Sequence, residues 1–333
     1  MLIKLIPELT HVARTVGVAV VGCGIWGWNH ARVFNDLPDC KLVALCDADP
    51  KRAKLAGEFY HVDSYTQPDE ILKNDQIDAV TVCTPSSTHT DVGLQVVEHG
   101  KDLLVEKPMA VTPVDAEKMI THARKAGVML TVGFIERFNP GVQYAKEQLE
   151  SGRVGNVVLA SARRVSRWPN RIGDVGVVKD LAIHDIDIEH WLLNSEVYEV
   201  YAVIGSHRGT WEDHANIVMH FKNGATGFIE TNWLTPHKVR KLIVTGSEAI
   251  VSVDYITQEV TVEDEKGLFS PSLTFQEPLR RELTHFLECV RSDSKPLVSG
   301  EDGLAALEIA DAALKSSGAH KPVPLSEESN ASA

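Results

Sequence analysis

The sequence has few cysteines, no membrane-length apolar run and no signal peptide pattern. Five cysteines are present among 333 residues, and none forms a Cys-x-x-Cys pair, so neither a disulfide framework nor a cysteine zinc site is indicated. The longest apolar run, Val16 to Ile25, is interrupted by glycines and is shorter than the ~20 residues that cross a bilayer. The segment from Met1 to Val16 lacks a basic start followed by an apolar core. We therefore expect a cytoplasmic protein with reduced thiols.

Positive charge is also scarce. The chain has 33 Lys and Arg against 46 Asp and Glu, a net charge of −13, and its basic residues are scattered, which argues against nucleic acid or an anionic membrane as a partner. A small molecule is the better candidate. With 44% hydrophobic and 24% charged residues, the composition is globular, and the length indicates two domains at roughly 150 residues each.

The first domain is predicted over residues 16–137. Short β-branched runs alternate there with helix-length amphipathic segments, a pattern typical of a doubly wound parallel sheet, the Rossmann arrangement. The predicted strands are Val16 to Val21, Lys41 to Cys46, Val62 to Tyr65, Ala79 to Cys83, Asp102 to Val105 and Val128 to Val132. The predicted helices include Ile25 to Asp36, Thr88 to His99 and Pro113 to Ala126.

The second domain is predicted over residues 138–325, as an α/β domain with an open, mostly antiparallel sheet. Its strand-like runs are separated by turn signals at Asn223-Gly224 and Gly246-Ser247, and two helices are expected near Leu279 to Arg291 and Gly303 to Ser316. Residues 1–15 are predicted to be a short arm. Residues 326–333 are predicted to be a disordered tail.

A glycine pattern at the end of the first strand indicates a dinucleotide. Gly22, Gly24 and Gly27 stand directly between the strand and the following helix. In that context the first glycine permits a tight turn, the second lets the backbone approach a pyrophosphate, and the third lets helix and strand pack closely. Asp47 closes the next strand twenty residues after Gly27, where a carboxylate can accept hydrogen bonds from the adenosine ribose. Because Asp47 would repel a 2′-phosphate, NAD is expected rather than NADP, although Lys51 and Arg52 are near enough to offset its charge.

Two further strand ends carry polar residues. Thr84 and Pro85 follow the fourth strand, and Glu106 and Lys107 end the fifth. Ligands of doubly wound sheets lie beyond the carboxyl ends of the strands, so Lys107 is expected to face the nicotinamide half of the cofactor. An ordinary surface lysine is the alternative, and Pro108 disfavours it by restricting Lys107 to extended geometry.

Residues 176–191 are predicted to form a helix with titratable groups on its buried side. At ~100° per residue, Asp180, His184 and Asp187 share one stripe with Trp191. Asp185 and Glu189 point to the opposite side of the helix, and we expect that side to face solvent. The stripe with Asp180 and His184 would then face a cleft lined by apolar neighbours.

Proton transfer is the chemistry that suits this stripe. An alcohol that gives hydride to NAD also loses its hydroxyl proton, and a neutral imidazole with a pKa near ~6.5 can accept it. A metal site is disfavoured, because His190 lies about 120° around the helix from His184. No metal is expected, while a purely structural His–Asp pair stays open as an alternative.

Taken together, the glycine pattern, Glu106-Lys107-Pro108 and Asp180-x-x-x-His184 resemble the glucose–fructose oxidoreductase / inositol dehydrogenase / rhizopine catabolism (Gfo/Idh/MocA) family over about Val16 to Leu325. The resemblance implies a Rossmann domain, a second sheet used for homodimer or homotetramer contacts, and catalysis by Lys107, Asp180 and His184. It also implies cofactor contacts from Gly22, Gly24, Ile25, Trp26, Gly27, Asp47, Thr84, Pro85, His89, Glu106 and Lys107.

Within the family, the runs Gly133 to Pro140 and Arg167 to Asp187 are most similar to enzymes that oxidise the 3-hydroxyl of UDP-N-acetylglucosamine. Arginines ahead of the active helix could grip a diphosphate with their guanidinium forks, or could lie on a strand's outer face. The substrate contacts expected on this reading are Lys107, Arg137, Asn139, Arg163, Arg167, Arg171, Asp180 and His184, with Arg164 a further candidate for the diphosphate.

The sequence therefore predicts an NAD-dependent sugar dehydrogenase. Alternatives left open are an inositol or free-sugar dehydrogenase, an NAD-dependent glycosidase that oxidises its substrate transiently, and a dinucleotide-sensing regulator without catalysis.

Overall fold

The computed structural model describes residues 14–169 and 174–325. Arg171, most of the predicted arm and the predicted tail lie outside the described residues. The strands are β1 Val16–Val21, β2 Cys40–Cys46, β3 Asp63–Tyr65, β4 Ala79–Val82, β5 Asp102–Glu106, β6 Leu130–Gly133, β7 Val157–Arg167, β8 Val197–Gly205, β9 His214–Phe221, β10 Thr226–Asn232, β11 Leu234–Gly246, β12 Ala249–Asp254, β13 Val260–Asp264, β14 Gly267–Phe269 and β15 Val323–Pro324.

The helices are α1 Ile25–Asp36, α2 Pro50–Tyr60, α3 Pro68–Leu72, α4 His89–Glu98, α5 Pro113–Ala126, α6 Pro140–Glu150, α7 Ile183–Leu193, α8 Pro278–Ser292 and α9 Gly300–Ala319. Short 3₁₀ turns occur at Ser86–Thr88 and Ile135–Phe138, and a π-helical turn at Val178–Ala182 leads into α7. Every helix in these ranges is too short or too polar to span a bilayer.

Local sequence explains how several helices begin. The Asp49 side chain accepts the backbone N–H of Lys51 and precedes Pro50 at the first position of α2. Ser299 and Asp302 form a reciprocal capping box at the start of α9. These devices satisfy backbone donors that a helix leaves open at its amino end.

The first sheet is parallel, with the strand order β3-β2-β1-β4-β5-β6. This is the dinucleotide-binding order, and it confirms the predicted Rossmann domain. All six residues of β1 are buried, as expected for a strand covered by helices on both faces.

The second sheet has nine strands in the order β14-β13-β12-β11-β7-β10-β9-β8-β15. Within the described residues only β7 and β10 of this sheet pair in parallel, so the predicted mostly antiparallel sheet is confirmed. One face packs against α7 and α9, and the apolar side chains between them belong to the larger hydrophobic core.

The predicted division at residues 137 and 138 falls inside the 3₁₀ turn Ile135–Phe138 and stays a prediction. The structure adds a crossing that the sequence did not indicate. Helix α8 returns to the first sheet, where Leu283 and Phe286 share a core with Val18 and Phe34. The late helix therefore stabilises the Rossmann sheet although it follows the second sheet in the chain.

Candidate active site

The glycine loop is shaped by close backbone contacts. Gly22 has φ +97°, and a Cβ there would lie 2.6 Å from the carbonyl carbon of Cys83. A Cβ on Gly27 would lie 1.7 Å from the carbonyl oxygen of Gly22. By contrast, a Cβ on Gly24 would meet no protein atom within 4 Å. Gly22 and Gly27 are thus required by the fold, whereas Gly24 keeps open a space at the amino end of α1 that suits a pyrophosphate.

Asp47 fixes this loop from the end of β2. Its Oδ2 accepts the backbone N–H of Cys23 at 2.7 Å, and its Oδ1 accepts that of Asp49 at 2.8 Å. Each carboxylate oxygen can accept a second hydrogen bond, and Asp47 borders the adjacent cavity. The predicted contact with a ribose diol therefore remains available to it.

A cavity of about 930 Å³ lies along the carboxyl ends of the first sheet. Its lining includes every predicted cofactor residue except Gly27, namely Gly22, Gly24, Ile25, Trp26, Asp47, Thr84, Pro85, His89, Glu106 and Lys107. Gly27 lies beneath the loop, where it permits the close approach of α1. The volume, the open space at Gly24 and the carboxylate at Asp47 fit NAD.

His89 joins two of the loops that border this cavity. Its Nδ1 lies 2.8 Å from the carbonyl oxygen of Pro108, and its Nε2 lies 2.8 Å from that of Thr84. Burial lowers the pKa of His89, while these two carbonyls raise it. The buried ring thus acts as a bridge between the loops after β4 and β5, with little surface left for a ligand.

Lys107 and Asp180 form a buried ion pair at the cavity. The Lys107 ammonium donates to the Asp180 carboxylate at 2.9 Å and to its carbonyl oxygen at 2.8 Å. Their side chains are only 6% and 3% exposed, and both residues line the cavity. The carboxyl end of β5 and the π-helical turn thereby place a fixed cation where ligands of this fold bind.

His184 lies one helical turn beyond Asp180, near the start of α7. It is 7% exposed, and its ring packs edge-on against Phe134 with the ring centroids 6.3 Å apart. His184 is not among the residues that line the cavity. The structure therefore brings Lys107 and Asp180 to the cavity, and His184 follows Asp180 by one turn with a small exposed fraction.

The predicted solvated face of the helix was wrong. Asp185 and Glu189 are both fully buried. Asp185 receives two hydrogen bonds from Arg164, at 2.7 and 3.1 Å, because the helix is packed against β7 and β10 on that side. Burial raises the pKa of Glu189 well above its usual range, and Asp185 adds to the effect. An acidic face that would be exposed on an isolated helix is here part of the core.

Two predicted substrate contacts are not in the cavity. Arg137 is 1% exposed and donates to Asp187 through Nε and Nη2, and to Asp302 through Nη2. Asn139 is fully buried, caps α6 through the backbone N–H of Gly141, and donates to the carbonyl of Tyr255. Both side chains are committed to internal contacts, so the structure gives them a structural role.

The predicted cluster of arginines is divided by the pleat of β7. Successive side chains of a strand point to opposite faces, so Arg164 faces α7 while Arg163 and Arg167 do not. Arg163 pairs with Glu230 at 2.9 Å on the outer face, and Arg167 donates to the carbonyl of Pro236. Arg164 is fully engaged by carboxylates. The expected diphosphate grip by these arginines is therefore not assembled, and Arg171 lies outside the described residues.

The cavity also contains a residue that the sequence analysis did not assign. Asp174 lines it and accepts the backbone N–H of Ser87 at 3.1 Å. Deeper in the fold, the His30 ring lies 3.0 Å from Glu106. His30 lies on the buried side of α1. A histidine on that side of a predicted helix is the sequence signal that could have indicated the contact with Glu106.

Two family models match the chain. The model described as "Oxidoreductase family, NAD-binding Rossmann fold" covers residues 16–134, and that of the "GFO/IDH/MocA C-terminal domain" covers residues 142–252. Together they cover the whole first sheet and the second sheet from β7 into β12, and they identify the cofactor domain as an NAD-binding one.

Curated relatives agree with this assignment. The chain is 30% identical to myo-inositol 2-dehydrogenase of Thermotoga maritima, over 93% of this chain and 98% of the relative. It is 30% identical to scyllo-inositol 2-dehydrogenase (NAD⁺) of Bacillus subtilis, over 93% of this chain and 96% of the relative.

Among solved structures, UDP-N-acetylglucosamine 3-dehydrogenase of Acidithiobacillus ferrooxidans superposes with a TM-score of 0.85. It is 24% identical, over 91% of this chain and 98% of that one, and at that identity the likeness shows a common fold. The comparisons confirm the predicted family, whereas the UDP-N-acetylglucosamine subgroup stays a prediction.

Proposed function

Since the chain belongs to the GFO/IDH/MocA oxidoreductase family and is an NAD-dependent sugar dehydrogenase, we propose that it oxidises a ring secondary hydroxyl by hydride transfer. The observation that carries the proposal is the buried Lys107–Asp180 pair, which lies 2.9 Å apart in the cavity that fits NAD. A dinucleotide sensor would need the glycine loop and Asp47 but would have no use for this pair.

The reaction divides between the cofactor and three side chains. NAD, when bound, supplies the hydride acceptor. The Lys107 ammonium donates to the substrate oxygen and stabilises the negative charge that develops there. Asp180 holds that ammonium in place through its carboxylate and its carbonyl. His184 accepts the hydroxyl proton, which a neutral imidazole can do near neutral pH.

For the substrate we propose the 3-hydroxyl of a UDP-N-acetylhexosamine. The sequence similarity of residues 133–140 and 167–187 to enzymes that oxidise UDP-N-acetylglucosamine supports this choice. An inositol is the second candidate, because two inositol dehydrogenases are 30% identical to this chain over nearly its full length.

The decisive experiment measures NADH formation at 340 nm with NAD and a panel of UDP-sugars, free sugars and inositols. We expect turnover with UDP-N-acetylglucosamine or its epimer, and loss of that turnover in Lys107→Ala. Turnover with inositols alone would transfer the proposal to the second candidate. NAD binding without turnover of any panel member would favour the sensor. Release of an aryl group from aryl glycosides without net NADH would instead show a glycosidase.

Self-association through the second sheet is part of the proposal. The sheet face turned away from α7 displays Tyr201 and Val203 of β8, 40% and 55% exposed, with Val218 of β9 beside Tyr201 and Phe228 of β10 beyond it. An apolar face of this kind suits contact with a second copy. Light scattering should give a dimer or tetramer, and Val203→Glu should shift it to the monomer.

We also propose a cytoplasmic location. All five cysteines are free thiols in the structure, which suits a reducing compartment.

A further inference from the structure

Three cations occur together on the face of the second sheet that packs against α7. Arg240 of β11 is the direct cross-strand partner of Arg164 of β7, and directly opposite residues of an antiparallel pair share one face. Arg164 reaches the α7 residue Asp185, so Arg240 is also on the α7 side. Lys238, two residues earlier, is close enough to Arg240, Glu136 and Arg164 for their charges to act on its ammonium.

The carboxylates on this face are mostly used by Arg164. Its Nε and Nη2 donate to Asp185, and its Nη1 donates to Oε1 of Glu136 at 3.0 Å. Arg240 donates to the same oxygen, Oε1 of Glu136, at 3.2 Å. One carboxylate oxygen therefore binds two guanidinium groups, and within residues 14–169 and 174–325 Lys238 forms no ion pair with a carboxylate.

The result is a local excess of positive charge in an acidic protein. Arg164, Arg240 and Lys238 face Glu136 and Asp185, and the nearby Asp180 is already paired with Lys107. Three positive charges therefore remain against two negative ones. Partial loss of contact with water and the charge of Arg240 lower the pKa of Lys238, although its side chain stays exposed; partial burial and the charge of Arg164 lower the pKa of Arg240. Like charges directly opposite are destabilising, so this arrangement calls for an anion.

Arg240 connects this excess to the catalytic helix, because it donates to Glu136, which follows by two residues Phe134, whose ring packs against His184. The charge of Asp180, which holds Lys107, acts on Arg240 together with the charges of Glu136 and Asp185. The Arg240 side chain is 28% exposed, and Lys238 is exposed. Unlike Arg164, which is 1% exposed, both cations keep surface that a ligand can contact.

We propose that Lys238 and Arg240 form a subsite for an anionic group of the substrate, a phosphate or a carboxylate. The inference rests on the proposed function and narrows its substrate to an anionic sugar, since a neutral inositol has nothing to place there. A nucleotide sugar would bring its diphosphate and a uronate its carboxylate. The guanidinium fork and the mobile ammonium would bind either group with charge-assisted hydrogen bonds.

The test is calorimetric titration of the NAD-loaded enzyme with UDP, uridine and glucuronate. Loading with NAD prevents the probes from binding in the dinucleotide cavity. We expect UDP or glucuronate to bind and uridine to bind at least ten-fold more weakly than UDP. Lys238→Gln and Arg240→Gln should each weaken binding of the anionic probe about ten-fold, the loss expected for one charge-assisted contact.

Lys241→Gln is the matched control, because Lys241 pairs in register with Arg163 on the opposite face; it should leave every affinity unchanged. UDP binding identifies a phosphate ligand, and glucuronate binding without UDP binding identifies a carboxylate. The proposal is overturned if neither probe binds, or if the exposed variant Lys238→Gln binds the probe as wild type does. NADH formation from inositols with no anion binding would overturn the subsite alone, whereas anion binding without turnover of any panel member would overturn the proposed function alone.

Discussion

Replacing Lys107 by Met should separate the catalytic role of the ion pair from its structural role. The ammonium that faces the Asp180 carboxylate is lost, while the length of the side chain is kept. Removing one partner of a buried pair typically costs about 3–5 kcal/mol, and the side chains here are 6% and 3% exposed. We therefore expect a lower free energy of unfolding, and turnover reduced by about 10²–10³, as when one electrostatic donor is removed from an active site.

The double variant Lys107→Met/Asp180→Asn distinguishes the two effects. Because this variant has lost the carboxylate together with the ammonium, no unpaired charge stays buried. Most of the lost free energy of unfolding should therefore return, while turnover stays low. Urea unfolding measures the stability, absorbance at 340 nm measures the turnover, and calorimetry measures the NAD affinity. The NAD affinity should change less than three-fold. The reasoning is refuted if Lys107→Met keeps a third of wild-type turnover, or if the double variant regains it.

Four other substitutions test the cofactor loop and a buried acid. Gly24→Val should fold with unchanged stability but bind NAD at least a hundred-fold more weakly, because its side chain would project into the open space that suits the pyrophosphate. Gly27→Ala should instead lose stability, since its Cβ would lie 1.7 Å from a carbonyl oxygen. In wild type we expect NAD to bind more tightly than NADP by roughly 1.5–3 kcal/mol, and Asp47→Ser should reduce this difference. Titration with both cofactors measures it, and equal affinities in wild type would contradict the role of Asp47. Because burial raises the pKa of Glu189, this carboxyl ionises in the unfolded chain above its ordinary pKa but stays protonated in the folded chain, so its contribution to stability falls as pH rises. The stability of Glu189→Gln relative to wild type should accordingly increase between pH 5 and 8, by up to about 1.4 kcal/mol per pH unit. A stability difference that does not grow with pH would contradict this prediction. In the exposed control Glu265→Gln the difference from wild type should not grow with pH.

Much of the fold could be predicted because its signals are local. The apolar run of β1, the glycine loop and the capped amphipathic helix α5 each depend on neighbouring residues, and the predicted bounds Val16–Val21, Ile25–Asp36 and Pro113–Ala126 agree with the structure. The return of α8 to the first sheet depends on contacts across the whole chain, which periodicity does not report.

The candidate site was less predictable where the backbone departs from a regular repeat. The helical wheel assumed 100° per residue from residue 176, but the segment Val178–Ala182 is a π-helical turn, which changes the phase of every later side chain. The wheel also could not show that β7 and β10 would cover Asp185 and Glu189. Likewise, Arg164 and Arg240 are 76 positions apart in the chain, and only the register of β7 and β11 makes them neighbours.

The central claim, that His184 accepts the hydroxyl proton while Lys107 stabilises the oxygen, is tested most directly by the pH dependence of NADH formation in wild type and His184→Asn. We expect the wild-type rate to rise with pH through a single ionisation and then to level off, because only the unprotonated imidazole can accept a proton. The reverse reaction should show the opposite slope, and His184→Asn should be slow and insensitive to pH over the same range. A His184→Asn variant that turns over at the wild-type rate with an unchanged pH profile would contradict the account.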